Sequence, residues 1–311
     1  MMPKMYVDES IVIKEKPKKI YSILSDYHHW QIWSPWLLAE PKAKVTVADT
    51  GDFYQWEGQI IGSGQMQITQ KSAKHDYLRM DLTFLKPWKS KAKVAFFLEV
   101  KEETTLVRWT MDSRLPFFLF WMKKSMEAYI SQDYQRGLRL LKDFVETGKT
   151  NSSIKFLGLK KQLAMKYVGL QRSISLTEIE QCMGEDFGRL MSLFNQKWKA
   201  LQAGAPFTIY HEFDVVCKKV IYTAAVPLTE IPTDLEPHMI SGELPSMQVY
   251  SISHKGPYRH TANAWSAANM HLRSKQFKPL GKIPPMELYW NSPKDTAELE
   301  LKSEILFPVK A

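Results

Sequence analysis

Over the first half of the chain, hydrophobic and polar residues alternate in short runs, and a period of two is the mark of half-buried β-strands. Such runs fall at 10–13, 44–48, 53–56, 64–69, 77–85, 91–100 and 106–111. Turn-forming stretches such as Asp49-Thr50-Gly51-Asp52 and Lys101-Glu102-Glu103 separate them. Residues 16–24, with Pro17 in the first turn, predict a short helix. At 123–146 the period changes to three or four. Met126, Tyr129, Ile130, Leu138, Leu141 and Val145 then form one apolar stripe, with Gly148 as the stop. A single long helix after a run of antiparallel strands buries its stripe only if the sheet curves around it.

Beyond residue 163 the pattern is written twice. Strand 166–173, helix 178–200 and strands 207–213 and 219–226 are followed by strand 247–253, helix 261–276 and strands 286–290 and 298–307. The words Pro206-Phe207-Thr208-Ile209-Tyr210 and Pro285-Met286-Glu287-Leu288-Tyr289 occupy the same place in each copy, after Gly204 and Gly281. Alternation pairs Phe207 and Ile209 with Met286 and Leu288 on one face, expected beneath the helices. Thr208 and Tyr210 then pair with Glu287 and Tyr289 on the other face, expected to look away from the helices. The acid Glu287 stands where the first copy has Thr208. The seam between two such units is a natural place for a ligand cleft. The reading is an α+β protein with a grip-like domain over 1–147, a basic linker over 148–162 and a duplicated strand-helix-strand-strand domain over 163–311.

The 311 residues carry 44% hydrophobic and 24% charged side chains, the balance of a globular protein with two cores. No apolar run approaches the roughly 20 residues of a membrane span, and the amino-terminal residues lack a secretory pattern, so a cytoplasmic location is expected. Cys182 and Cys217 form no CxxC pair and read as structural thiols. The formal charge of +9 is uneven: +5 over 1–150, +5 over 151–175 and −1 over the rest. Lys155, Lys160, Lys161, Lys166 and Arg172 make up the middle share without an acid among them. They read as a solvated linker and edge strand, and specific nucleic-acid binding is not expected. No metal-ligand spacing, phosphate loop or catalytic triad is visible, so no cofactor is expected.

Asp26, Trp30 and Trp33-Ser34-Pro35-Trp36 are followed by Gly51-Asp52-Phe53-Tyr54-Gln55-Trp56-Glu57-Gly58, Gly62-Ser63-Gly64, Thr105-Leu106-Val107-Arg108-Trp109 and Gly137-Leu138-Arg139-Leu140-Leu141-Lys142. With these words the first domain resembles the SRPBCC superfamily, the polyketide cyclase and START-like helix-grip proteins, whose members range from enzymes to carriers. The resemblance implies a cavity under the grip. Trp30, Trp33, Trp36, Trp56 and Trp109 either line it or fill it. The second domain, through Ser253-His254-Lys255-Gly256-Pro257-Tyr258, Pro285-Met286-Glu287-Leu288-Tyr289 and Glu304-Ile305-Leu306-Phe307-Pro308-Val309, resembles the GyrI-like, or bacterial transcription-activator effector-binding, domain. That resemblance implies a groove for small aromatic or cationic molecules, with Glu287 inside it and Tyr289 and Tyr258 in the matching motifs. Alternation and helix position add Tyr210, Tyr167 and Trp265. The DNA-reading module of the regulators is not recognisable here.

Two functions remain open at this level. One is a non-enzymatic binding protein for hydrophobic, aromatic or cationic compounds, acting as sensor, sequestering agent or carrier, with the protein partner unknown. The other is a hydrolase of reactive xenobiotics with Glu287 as general base and Tyr289 or Tyr258 as proton donor. The alternative for Glu287 itself is a solvated carboxylate on an open sheet face. Glu304, in its own recurring motif, reads as structural.

Overall fold

In the computed structural model, which describes residues 3–310, the chain divides into two units, 1–153 with 269–274 and 154–268 with 275–311.

The first unit opens with β1 (Lys4–Ile13), α1 (Pro17–Leu24) and the one-turn α2 (Trp30–Trp33). Six strands follow: β2 (Lys44–Val47), β3 (Phe53–Glu57), β4 (Ser63–Lys71), β5 (Tyr77–Lys86), β6 (Ser90–Lys101) and β7 (Thr104–Arg114). After a six-residue 3₁₀ turn, Phe117–Met122, the long helix α3 (Lys123–Thr147) closes the unit. The seven strands form one antiparallel sheet in the order β1-β7-β6-β5-β4-β3-β2. All the expected strands are present, and β1 begins six residues earlier than alternation indicated. Gly148 ends α3 in the left-handed conformation, φ 77°, as the stop signal predicted.

The grip is held by stacked rings. Trp109 of β7 lies flat on Tyr134 of α3, with centroids 3.8 Å apart, and has Phe96 of β6 on its other side at 4.9 Å. Trp30, Trp33 and Trp36 pack their edges around the same ring at 5.7 to 6.0 Å. Helix and sheet approach this closely because position 137 has no side chain. A Cβ on Gly137 would sit 2.8 Å from the Trp109 ring and 3.3 Å from Pro35.

The second unit contains β8 (Ser153–Gln162), β9 (Met165–Ser175), α4 (Ile179–Leu193), β10 (Phe207–Asp214), β11 (Lys219–Leu228), β12 (Ile240–Leu244), β13 (Met247–Lys255), the 262–268 part of α5 (Ala262–Arg273), β14 (Met286–Tyr289) and β15 (Lys302–Pro308). The duplicated order is β9-α4-β10-β11 and β13-α5-β14-β15, matching the repeat read from the sequence. Strands β8 and β12 are additions to it. Residues 153–162, expected as linker, form β8 beside β13 at one margin of an eight-stranded sheet, β12-β9-β11-β10-β14-β15-β13-β8. Its basic run is correspondingly not all solvated: Lys160 turns inward onto Glu304, and Arg172 of β9 pairs with Asp186 of α4 at 2.8 Å.

This sheet is rolled. Strands β12 and β13 stand first and seventh in the order but are joined by Pro245 and Ser246 alone, and two residues span less than about 10 Å. Met247 and Val249 of β13 and Leu244 of β12 therefore meet Phe207, Ile209, Met286 and Leu288 in one core on the inner face. The outer core gathers Val220, Tyr222, Ala224 and Val226 of β11 under Leu190, Phe194 and Trp198.

Candidate functional site

The two repeats meet where β10 runs antiparallel to β14, with Phe207 opposite Leu288, Thr208 opposite Glu287 and Ile209 opposite Met286. Equivalent positions in the repeat are thus exchanged across the seam, and Thr208 and Glu287 sit on its pseudo-twofold axis. Only one of the two is an acid, so the axis carries a single carboxylate.

The expectation that this face looks away from the helices is overturned. Thr208 pairs with Ala224 and Tyr210 with Tyr222, so both belong to the face of β11 that α4 covers. The Tyr222 hydroxyl donates to Asp186 of α4 at 2.8 Å, and the Tyr210 hydroxyl lies 3.8 Å from Met183 Sδ of the same helix. Alternation shows which residues share a face but not which face receives the helices. The opposite face is buried by the rolling of the sheet instead.

Glu287 therefore lies between the sheet and the two helices, only 2% exposed. Trp265 of α5 donates its indole N–H to Glu287 Oε2 at 2.8 Å, and the Tyr210 hydroxyl stands 3.4 Å from the same oxygen. Tyr289 hydrogen-bonds through its hydroxyl with Thr208 Oγ1 at 3.1 Å. Around these groups the rings form a chain. Tyr210 meets Trp265 edge-on at 4.9 Å and Trp265 meets Phe307 at 5.7 Å, while Tyr289 contacts Phe187 of α4 at 5.2 Å and Tyr258 at 5.4 Å. Five of the expected residues, Glu287, Tyr289, Tyr258, Tyr210 and Trp265, are brought together. The Tyr258 hydroxyl is engaged, donating to the Asn291 carbonyl at 2.7 Å. Tyr167 is not among them. Its ring packs 5.7 Å from Phe207, with the inner-face core. Phe187, Met183 and Phe307 join the site without having been singled out; Met183 and Phe187, apolar and four positions apart in the helix expected at 178–200, carry the spacing that marks one helical face.

Burial pushes the Glu287 carboxyl up from its ordinary 4.5 to about 7, against the hydrogen bonds from Trp265 and Tyr210, which pull it down. The Tyr210 and Tyr289 hydroxyls are raised well above their usual 10 by burial and then by the Glu287 charge, so both keep their protons at neutral pH. Burial likewise pushes Tyr258 up to about 12.

Comparison with the other buried acids of this unit sets Glu287 apart. Asp186, 1% exposed, accepts from Arg172 and Tyr222 at 2.8 Å each. Glu304, 3% exposed and on the inner face, is met by the Lys160 ammonium, the Ser251 hydroxyl and the Trp290 indole at 3.1 Å. Glu287 has no Lys, Arg or His within ion-pair distance among the described residues.

In the first unit, Trp30, Trp33 and Trp109 are no more than 3% exposed and pack against one another and against Phe96 and Tyr134, so the rings fill the grip as core. Among the described residues no cluster of His, Cys, Asp and Glu is arranged to hold a metal ion, and no helix is long and apolar enough to cross a membrane.

Residues 159–310 match the family model described as a GyrI-like small molecule binding domain, and residues 5–146 that of polyketide cyclase / dehydrase and lipid transport. No curated protein matches the chain. Among solved structures, the chain is similar to EcmrR in a complex with DNA, at 17% identity over 60% of this chain and 65% of that one, with a TM-score of 0.41. It thus spans less than two thirds of the EcmrR chain. SAV2435 bound to tetraphenylphosphonium is 16% identical over 50% of this chain and 94% of that one, with a TM-score of 0.39. The Aha1 dimer from Colwellia psychrerythraea is 22% identical over 47% and 98%, with a TM-score of 0.35.

Proposed function

We propose that the second domain, which matches the GyrI-like small-molecule-binding model beside the polyketide cyclase-type match of the first, captures amphipathic aromatic cations on Glu287, in a sensing, sequestering or carrier role. The observation that supports this reading is the unmatched carboxylate. An ionised acid taken out of water is costly unless a cation meets it. Asp186 and Glu304 have theirs within the chain, whereas Glu287 is surrounded by rings and hydroxyls. A cation carrying aryl groups supplies the missing charge and stacks on Trp265, Tyr210 and Tyr289. Without one, the carboxyl holds its proton up to about pH 7.

The test is calorimetric titration with tetraphenylphosphonium, a lipophilic monovalent cation, beside neutral triphenylphosphine oxide, on the wild type and Glu287→Gln at about pH 8. Gln keeps the size of the side chain and an oxygen for the Trp265 N–H. It should weaken the cation at least about tenfold and the neutral compound less than about threefold. Equal cation affinity in the two proteins would remove the proposal.

The pKa of Glu287 also favours a second reading, a hydrolase, because a carboxylate that titrates near neutrality suits general-base work. Tyr289 is then the proton donor, since the Tyr258 hydroxyl is committed to Asn291. Mass spectrometry of the same protein incubated with activated aryl esters and epoxides separates the two. Turnover that Glu287→Gln abolishes, while affinity survives, selects the enzyme.

A further inference from the structure

In the first unit, the 3₁₀ turn between β7 and α3 places Phe117, Phe118, Phe120 and Trp121 in solvent, each 64 to 71% exposed. Four large rings exposed within five positions form a patch that scattered surface hydrophobes do not make. The turn is rooted by Leu115, 3% exposed, and by the half-buried Leu119 and Met122, so the rings project from a fixed base.

The surroundings of the patch are basic. Strand β7 ends at Arg114 opposite Lys4, and Ser113 pairs with Ala92 at the start of β6, so the β5–β6 turn with exposed Trp88 lies on the same rim of the sheet. Three acids of this rim are already paired, Asp112 with Lys4 at 3.0 Å, Glu57 with Lys86 at 3.7 Å and Glu127 with Lys123 at 3.8 Å. Lys89, Lys91, Arg114 and Lys124 are exposed with no acid at ion-pair distance among the described residues.

We infer that this rim is a peripheral docking surface for an anionic lipid bilayer, with the rings seated at the headgroup level and the four free cations on lipid phosphates. The chemistry favours lipid over protein: Lys is depleted from protein interfaces, while Trp and Phe bracketed by Lys and Arg characterise segments that lie in the membrane interface. Net positive charge on the rim complements a phosphatidylglycerol surface, where each basic residue contributes. The inference does not depend on Glu287 and goes beyond the small-molecule reading.

The test is flotation of the 311-residue chain with phosphatidylcholine vesicles, with and without about 30% phosphatidylglycerol. The variants are Phe118→Ser/Trp121→Ser and Lys89→Glu/Lys124→Glu. Unchanged thermal midpoints and far-ultraviolet circular dichroism report that each still folds, as expected for exposed positions. The wild type should float with the anionic vesicles and much less with the neutral ones. Either double substitution should lower the partition coefficient at least about tenfold, and raising salt from about 0.1 to about 0.5 M should weaken wild-type binding. Absence of flotation with anionic vesicles, or flotation of the serine variant equal to wild type, overturns the inference. So does self-association in sedimentation velocity that the serine variant abolishes without vesicle binding, since the rings then serve a second copy of the chain.

Discussion

If Glu287 is the cation's partner, the affinity for a monovalent aryl cation must follow the ionisation of one buried acid. The tyrosines around it do not blur this titration, because Tyr210, Tyr289 and Tyr258 are all raised and stay neutral across the range. With the carboxyl at about 7 in the free protein, roughly 1% is ionised at pH 5, half at pH 7 and nearly all at pH 9. Tetraphenylphosphonium affinity should therefore rise about ninefold from pH 5 to 6, about 50-fold from 5 to 7 and about 100-fold from 5 to 9, levelling off above 8, with one proton released per cation bound at the low end. The same shift acts on stability. The folded state holds this proton at pH values where the unfolded chain, titrating near 4.5, has lost it, so the contribution is fully present below 4.5 and is lost as pH rises through 7. Two and a half units amount to about 3 kcal/mol, and Glu287→Gln removes this contribution. Calorimetry in buffers of different ionisation enthalpy and urea titrations from pH 5 to 8.5 measure both effects. A cation affinity unchanged between pH 5.5 and 8, or a pH profile of that affinity retained in Glu287→Gln, refutes the reasoning.

Three further outcomes are expected. Trp265→Phe removes the indole N–H that lowers the carboxyl, so the midpoint of the affinity profile should move above pH 7, read by the same titrations. Lys160→Met leaves Glu304 buried without its cation; because the Lys160 side chain is 35% exposed, the loss should fall at the low end of that for broken buried pairs, roughly 3 kcal/mol by urea unfolding. Gly137→Ala drives a methyl to 2.8 Å from a ring clamped on both faces and should cost about 1 to 3 kcal/mol, whereas Gly184→Ala in α4, with nothing within 4 Å, should stabilise by up to about 1 kcal/mol; thermal midpoints of the two variants should move in opposite directions.

The repeat was legible because Thr208 and Glu287 occupy the same place in two nearly parallel texts, and the structure puts them opposite one another on the axis. The burial of the acid was not legible. Phe207, Thr208 and Ile209 are all at most 2% exposed, so β10 carries no contrast between a wet and a dry face from which to orient it. Tyr167 was misplaced for a related reason: β9 and the seam are two strands apart on a rolled sheet, and one aromatic at strand spacing fits either side. Strand β8 escaped because Lys155, Lys160 and Lys161 gave its alternation the look of a solvated linker. In the first unit the long helix, its stop and all seven strands followed from periodicity and turn residues. Whether the tryptophans lined a cavity or filled it depended on how the rings meet, which spacing along the chain does not encode.

Pro245 and Ser246 tie together two margins of a sheet whose halves come from different repeats, and the β8–β9 connection does the same a few residues away. Such stitching denies the two copies a hinge of their own: prising them apart at β10 and β14 would have to stretch both connectors at once. On the proposed reading a guest would then reach Glu287 from the helix side, by displacing Phe187 of α4 and Trp265 of α5, which meet the sheet through side-chain contacts and not through the backbone ladder.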